Sequence, residues 1–124
     1  MKLIINEKTI NIKLLNTETS NKISKLKGFQ AKINTWGDEI YFKIPLNGVK
    51  LEEGAIDVVK FGEIAYWTEG NAIAIGFGPT PASINDEIRL VSKVNIWANF
   101  DTSLNSVDFF KSIKNNDIVS FINS

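Results

Sequence analysis

Apolar and polar positions alternate with a period of two along most of the chain, as they do in strands with one buried face. Ile10, Ile12 and Leu14 alternate with Asn11 and Lys13. Residues 2–6 and 9–15 therefore read as a hairpin around Asn6-Glu7-Lys8. Ile40, Phe42 and Ile44 alternate with Glu39, Tyr41 and Lys43, up to Pro45. The same reading predicts strands over residues 29–35, 58–61, 63–67, 72–77, 93–100 and 117–122. In 93–100 it sets Val94, Ile96, Ala98 and Phe100 on one side and turns Asn95 outward, where it can line a groove. Two segments carry helical spacing instead. Ile23 and Leu26 belong to a helix capped by Thr17 or Thr19 and ending near Gly28. Leu104, Val107, Phe110 and Ile113 belong to a second, capped by Asp101, Thr102 or Ser103.

Many strands and only two helices argue against alternating βαβ units. The arrangement that buries every alternating face is a closed antiparallel barrel of about eight strands, with a helix over each open end. Residues 45–57 and 79–86 are too rich in glycine, proline and polar residues for regular structure.

Tyr66–Ser83 carries the most local information. Ile73, Ile75 and Phe77 share one strand face, and Ala72, Ala74 and Gly76 the other. A bare face lets a helix or a ligand approach closely. The strand leaves through Gly78-Pro79-Thr80-Pro81, whose prolines fix two φ angles and make either a rigid barrel corner or a preformed pocket wall presenting Thr80 and Ser83. Tyr66 and Trp67 are adjacent, so one enters the core and the other a groove or the surface.

The length of 124 residues fits a single domain over 1–124. Formal charge balances at 14 basic against 14 acidic residues, and the one lysine cluster, Lys22 to Lys27, reads as a solvated helix face. Neither nucleic acid nor a membrane surface is an expected partner. Cysteine and histidine are both absent, which excludes thiolate and imidazole metal sites and histidine-based triads. No metal and no cofactor are expected. No signal peptide or bilayer-length apolar run is visible, so a cytoplasmic protein is expected. Arg89 is the lone arginine among lysines, suited to bidentate recognition of a carboxylate or phosphate, or to a salt bridge with Asp86, Glu87 or Glu69. Asp38 and Glu39 are neighbours on a strand and face opposite ways, so they do not read as a catalytic pair.

The segments NTWGDEIYFKIP (34–45), FGEIAYW (61–67), GNAIAIGFGPTPAS (70–83) and SKVNIWANF (92–100), in this order, resemble a family of short prokaryotic cyclophilin-like proteins of unknown function. The resemblance covers nearly the whole chain and implies a cyclophilin-like barrel. It also raises peptidyl-prolyl isomerisation as an alternative function. True cyclophilins place an arginine beside aromatic and amide residues on the outer face of the barrel. Here the corresponding strand reads Phe29-Gln30-Ala31-Lys32-Ile33-Asn34, and lysine does not reproduce a guanidinium fork. No catalytic residue carries over. A hydrolytic or carboxyl-transfer role, known for enzymes with similar domains, is left without histidine or cysteine. The expectation is a binding protein for a small molecule or peptide, held by Tyr66, Phe77, Thr80, Ser83, Arg89 and Asn95 beside the Gly-Pro-Thr-Pro corner.

Overall fold

A computed structural model describes residues 1–123. β1 (Lys2–Ile5) and β2 (Lys8–Asn11) form the expected hairpin. Its two loop residues, Asn6 and Glu7, both have positive φ, the mirror-image turn that matches strand twist. β1 also pairs with β11 (Ile118–Ile122), which pairs with β4 (Phe29–Lys32), and all of these pairings are antiparallel. The four strands make one sheet in the order β2-β1-β11-β4.

The second sheet has seven strands. Its order is β3 (Lys13–Leu14), β10 (Arg89–Asn99), β8 (Glu63–Trp67), β9 (Ala72–Gly76), β6 (Glu39–Lys43) and β5 (Asn34–Thr35), and β7 (Ile56–Val58) also pairs with β10. The expected closed barrel is therefore corrected to two open antiparallel sheets, neither of which closes on itself. Period-two alternation cannot separate the two architectures, because each buries one face of every strand. The chain crosses between sheets at Ile12 and Ile33. Both still bond to the first sheet, Ile12 N–H to the Met1 carbonyl and Ile33 N–H to that of Asp117, before the next residues join the second. These crossings split the predicted 9–15 and 29–35 strands in two.

The core lies between the sheets. Leu3, Ile5, Ile10, Val119 and Phe121 meet Ile40, Phe42, Ile64, Tyr66, Ile73, Ile75 and Trp97 there. Helix α1 (Glu18–Ile23) contributes Ile23, and α2 (Val107–Lys111) contributes Phe110. Thr17 caps α1 as expected, but the helix ends at Ser24, short of Gly28. Ser106 caps α2, not Asp101, Thr102 or Ser103. Asp101 instead accepts the Ser103 N–H in a preceding turn, which leaves Leu104 exposed outside the helix. No helix among the described residues is long and apolar enough to cross a membrane.

One irregularity reverses an orientation. β8 pairs Ala65 with Ile96 but Ile64 with Ala98, so Trp97 is an extra residue, a β-bulge. The bulge changes which residues face inward. Trp97 and Ala98 join the inner core, while Val94 and Ile96 fall on the outer face. Asn95, expected outward, is almost fully buried.

Candidate functional site

Strand β6 supplies both faces of the long sheet. Ile40 and Phe42 point into the core, and Tyr41 packs with the outer cluster of Val59, Ala65, Ala74, Leu90 and Val94. The outward residues of β9 are small, as the sequence suggested. At one end Gly76 is covered: a Cβ there would lie 2.4 Å from Ile88 Cγ2, so the segment entering β10 presses directly onto the backbone. Next to it the cover stops. Ala74 becomes the floor of a pocket of about 200 Å³ lined by Trp36, Glu39, Tyr41, Trp67, Leu90, Val91 and Val94.

The walls are fixed from behind. Trp67 donates its indole N–H to Ser92 Oγ at 2.9 Å. Gly70 lies against its ring so tightly that a Cβ would sit 2.1 Å from Trp67 Cε3. Tyr41 meets Trp67 edge to face, with centroids 6.1 Å apart and planes at 84°. Trp36 opens the turn before β6, where its N–H reaches the Glu39 carbonyl at 3.0 Å. Gly37, with φ of +57°, packs that turn against Thr80 and Pro81. Asp38 N–H reaches the Pro79 carbonyl at 3.0 Å, and Phe77 N–H the Asp38 carbonyl at 2.8 Å. The Gly-Pro-Thr-Pro corner is thus the support of the Trp36 turn.

Glu39 is the one acidic side chain lining this pocket and is only 6% exposed. Among the described residues, no side chain or backbone N–H donates to its carboxyl and no cation pairs with it. Burial therefore raises its pKa from 4.5 to about 7.

The six residues expected to bind a ligand do not line this pocket; each is engaged within the protein. Tyr66 is buried in the core with its hydroxyl bonded to Asn71, and burial raises its phenol pKa. Phe77 stacks on Phe110 at 5.7 Å. Asn95 accepts from Glu52 N–H at 2.8 Å and donates to the Lys50 carbonyl at 2.8 Å and to Thr19 Oγ1 at 3.0 Å, pinning the 45–55 segment to α1. Thr80, Ser83 and Arg89 do come together. The Thr80 hydroxyl donates to the Arg89 carbonyl, and Ser83 Oγ accepts the N–H groups of Thr80 at 2.9 Å and Arg89 at 3.2 Å. The Arg89 guanidinium holds Glu87 through Nε and Nη2, both at 2.9 Å, and Asp57 through Nη1 at 2.8 Å. Hydrogen bonding from Arg89 keeps the Glu87 carboxyl below the usual range. Of the three partners expected for Arg89, Glu87 is found; Asp57 was not foreseen.

Trp36 and Tyr41 went unassigned in the sequence and Glu39 was set aside as half of an unsuited acid pair, whereas of the Tyr66-Trp67 neighbours Tyr66 is the one in the core and Trp67 the one in the pocket. The available signal was that residues 72–77 are apolar or small on both faces, which implies that the outer face is covered too.

A hypothetical protein of Archaeoglobus fulgidus, solved in solution, is similar in fold and sequence. It is 30% identical over 99% of this chain and 92% of its own, with a TM-score of 0.80. No curated protein matches. The sequence pattern of the family described as cyclophilin-like matches residues 1–121, which spans both sheets, both helices and every wall of the pocket. The chain belongs to that cyclophilin-like family.

Proposed function

We propose that this protein binds a small molecule in the outer-face pocket of the seven-stranded sheet. The observation that carries the reading is the Glu39 carboxyl, buried without a protein partner at the end of an apolar, aromatic-walled cavity. Folding alone gives no reason to keep such a group there, since an apolar residue would remove its desolvation cost. Ionisable groups with displaced pKa values in a cleft mark candidate sites for this reason. The fixed stance of Trp67 and of the Trp36 turn adds preorganisation. The binding location moves from the Gly-Pro-Thr-Pro groove to the pocket that this corner supports, while Thr80, Ser83 and Arg89 hold the corner.

Peptidyl-prolyl isomerisation gains no specific support here. The pocket's charged group is a carboxyl, and the guanidinium of Arg89 is taken by Glu87 and Asp57.

The test is a fragment screen read by ¹H–¹⁵N NMR. Ligands are expected to move the indole N–H signals of Trp36 and Trp67 while leaving that of Trp97, in the core, in place. A screen whose hits move only residues of the four-stranded sheet overturns the proposal.

A further inference from the structure

The pocket's chemistry is narrower than a generic apolar cleft, and it points to one class of ligand. Three aromatic side chains, Trp36, Tyr41 and Trp67, line one cavity together with one carboxyl. Tyr41 and Trp67 stand perpendicular, as adjoining walls of a cage do. The remaining lining is Ala74, Leu90, Val91 and Val94, so no lysine or arginine contributes a positive charge. An anionic ligand would meet both Glu39 and the negative faces of the rings. A neutral apolar ligand would seal the carboxyl away from water with nothing to bond. A cation satisfies both features: it pairs with the carboxylate and is attracted by the ring faces. The volume of about 200 Å³ is below the roughly 300–1,000 Å³ of pockets for drug-sized ligands, which suits a head group of a few non-hydrogen atoms.

We infer that the ligand of this pocket carries an organic cation, an alkylammonium or quaternary ammonium group, caged by Trp36, Tyr41 and Trp67 with Glu39 as its counter-ion. This rests on the pocket being the binding site, as proposed above. The cation offsets the desolvation of Glu39 on binding, while the rings exclude the water that would otherwise screen the pair. Val91, exposed at the rim, leaves the mouth open for whatever the ammonium group is attached to.

The experiment compares choline with its neutral carbon isostere, 3,3-dimethylbutan-1-ol, by NMR titration of the full chain at pH 8, where Glu39 is mostly ionised. The expected result is saturable shifts of the Trp36 and Trp67 indole signals by choline, with an affinity about tenfold or more above that of the alcohol. Glu39→Gln is expected to cut that preference severalfold, to what the rings alone supply, while the alcohol still binds, which also shows that the variant is folded. Equal affinities, or tighter binding of the alcohol, overturn the cation inference and leave the pocket reading standing. A preference for choline that is undiminished in Glu39→Gln overturns the counter-ion role. If neither compound, nor propylammonium, moves a pocket signal, the cation inference falls; if the fragment screen is silent there too, the pocket reading falls with it.

Discussion

The inner and outer faces of the seven-stranded sheet are made by the same strands and solve different problems. On β6, β8 and β9 the inner residues are Ile40, Phe42, Ile64, Tyr66, Ile73 and Ile75, all buried against the opposing sheet and the helices. The outer residues are Glu39, Tyr41, Ala65, Trp67 and Ala74, covered only in part by Val59, just after β7, and by Ile88 and Leu90 at the start of β10. The inner face is filled by large side chains meeting large ones. The outer face sets small residues beneath large ones, and where Ile88 and Leu90 end, the small floor stays open. Packing alone accounts for the first arrangement. The second keeps a vacancy, a carboxyl and three rings that packing does not require.

If that contrast holds, truncation should be far more damaging inside than outside. Phe42→Ala is expected to cost about 3–5 kcal/mol in urea unfolding, because the cavity it leaves is walled on all sides. Trp67→Ala removes a larger side chain and should nonetheless cost less, since its ring already faces open space on the pocket side. Equal losses would mean that the outer face is core after all.

The next largest effect belongs to Glu39. Its carboxyl is protonated below about pH 4.5 whether the chain is folded or not, so burial carries no ionisation cost there. Between pH 4.5 and about 7 the folded chain keeps a proton that the unfolded chain has released. Stability therefore falls as pH rises through this window, and the loss is complete above it, at about 3 kcal/mol. Glu39→Gln should unfold at the same urea concentration as the parent at pH 4 and at a clearly higher one at pH 8. A difference that does not change with pH would show that the Glu39 carboxyl is solvated in the folded chain.

A smaller change tests whether the wall is set for the pocket. Gly70→Ala drives a methyl group into the Trp67 ring, an overpacking worth about 1–2 kcal/mol. Its larger consequence is expected in binding, as weakened choline shifts, because the ring must swing from its Ser92 anchor. Unchanged choline affinity with a displaced Trp67 signal would separate that ring from the site.

Much of the fold is readable in the residues themselves. Ile40, Phe42 and Ile44 announce their strand because the apolar alternation follows a buried face, and Ile10, Ile12 and Leu14 show the same alternation although only Ile10 is fully buried and Leu14 is 40% exposed. Thr17 announces α1 because its hydroxyl can accept a helix-start N–H, which here comes from Ser20 at 3.0 Å. Three features are hidden for physical reasons. The bulge at Trp97 adds one residue without altering composition, so Asn95 reads as outward when it is inward. The crossings at Ile12 and Ile33 keep their alternation while changing sheets, so two sheets read as one barrel. The pocket is the third: Glu39 looks like any solvated strand carboxylate until the distant Leu90, Val91 and Val94 are laid beside it. Arg89 draws attention by its rarity, yet its chemistry is consumed within the corner, while the common residue Glu39 is left without a partner.

The smallest effect sharpens the contrast most, because it separates shape from stability. Val91 is 60% exposed and touches the pocket only at its rim. Val91→Ser should leave unfolding within about 0.5 kcal/mol of the parent, as for other surface changes. A bound ligand covers this side chain, so the lost apolar area should weaken 3,3-dimethylbutan-1-ol by about threefold. The same substitution should weaken choline no more than that, since the attraction of Glu39 and the rings is untouched. If Val91→Ser destabilises the chain by as much as a core truncation, the rim belongs to the packed layer, and the outer face is a second core with an accidental gap. If it alters ligand affinity and leaves folding alone, the rim is shaped for something that arrives from solution.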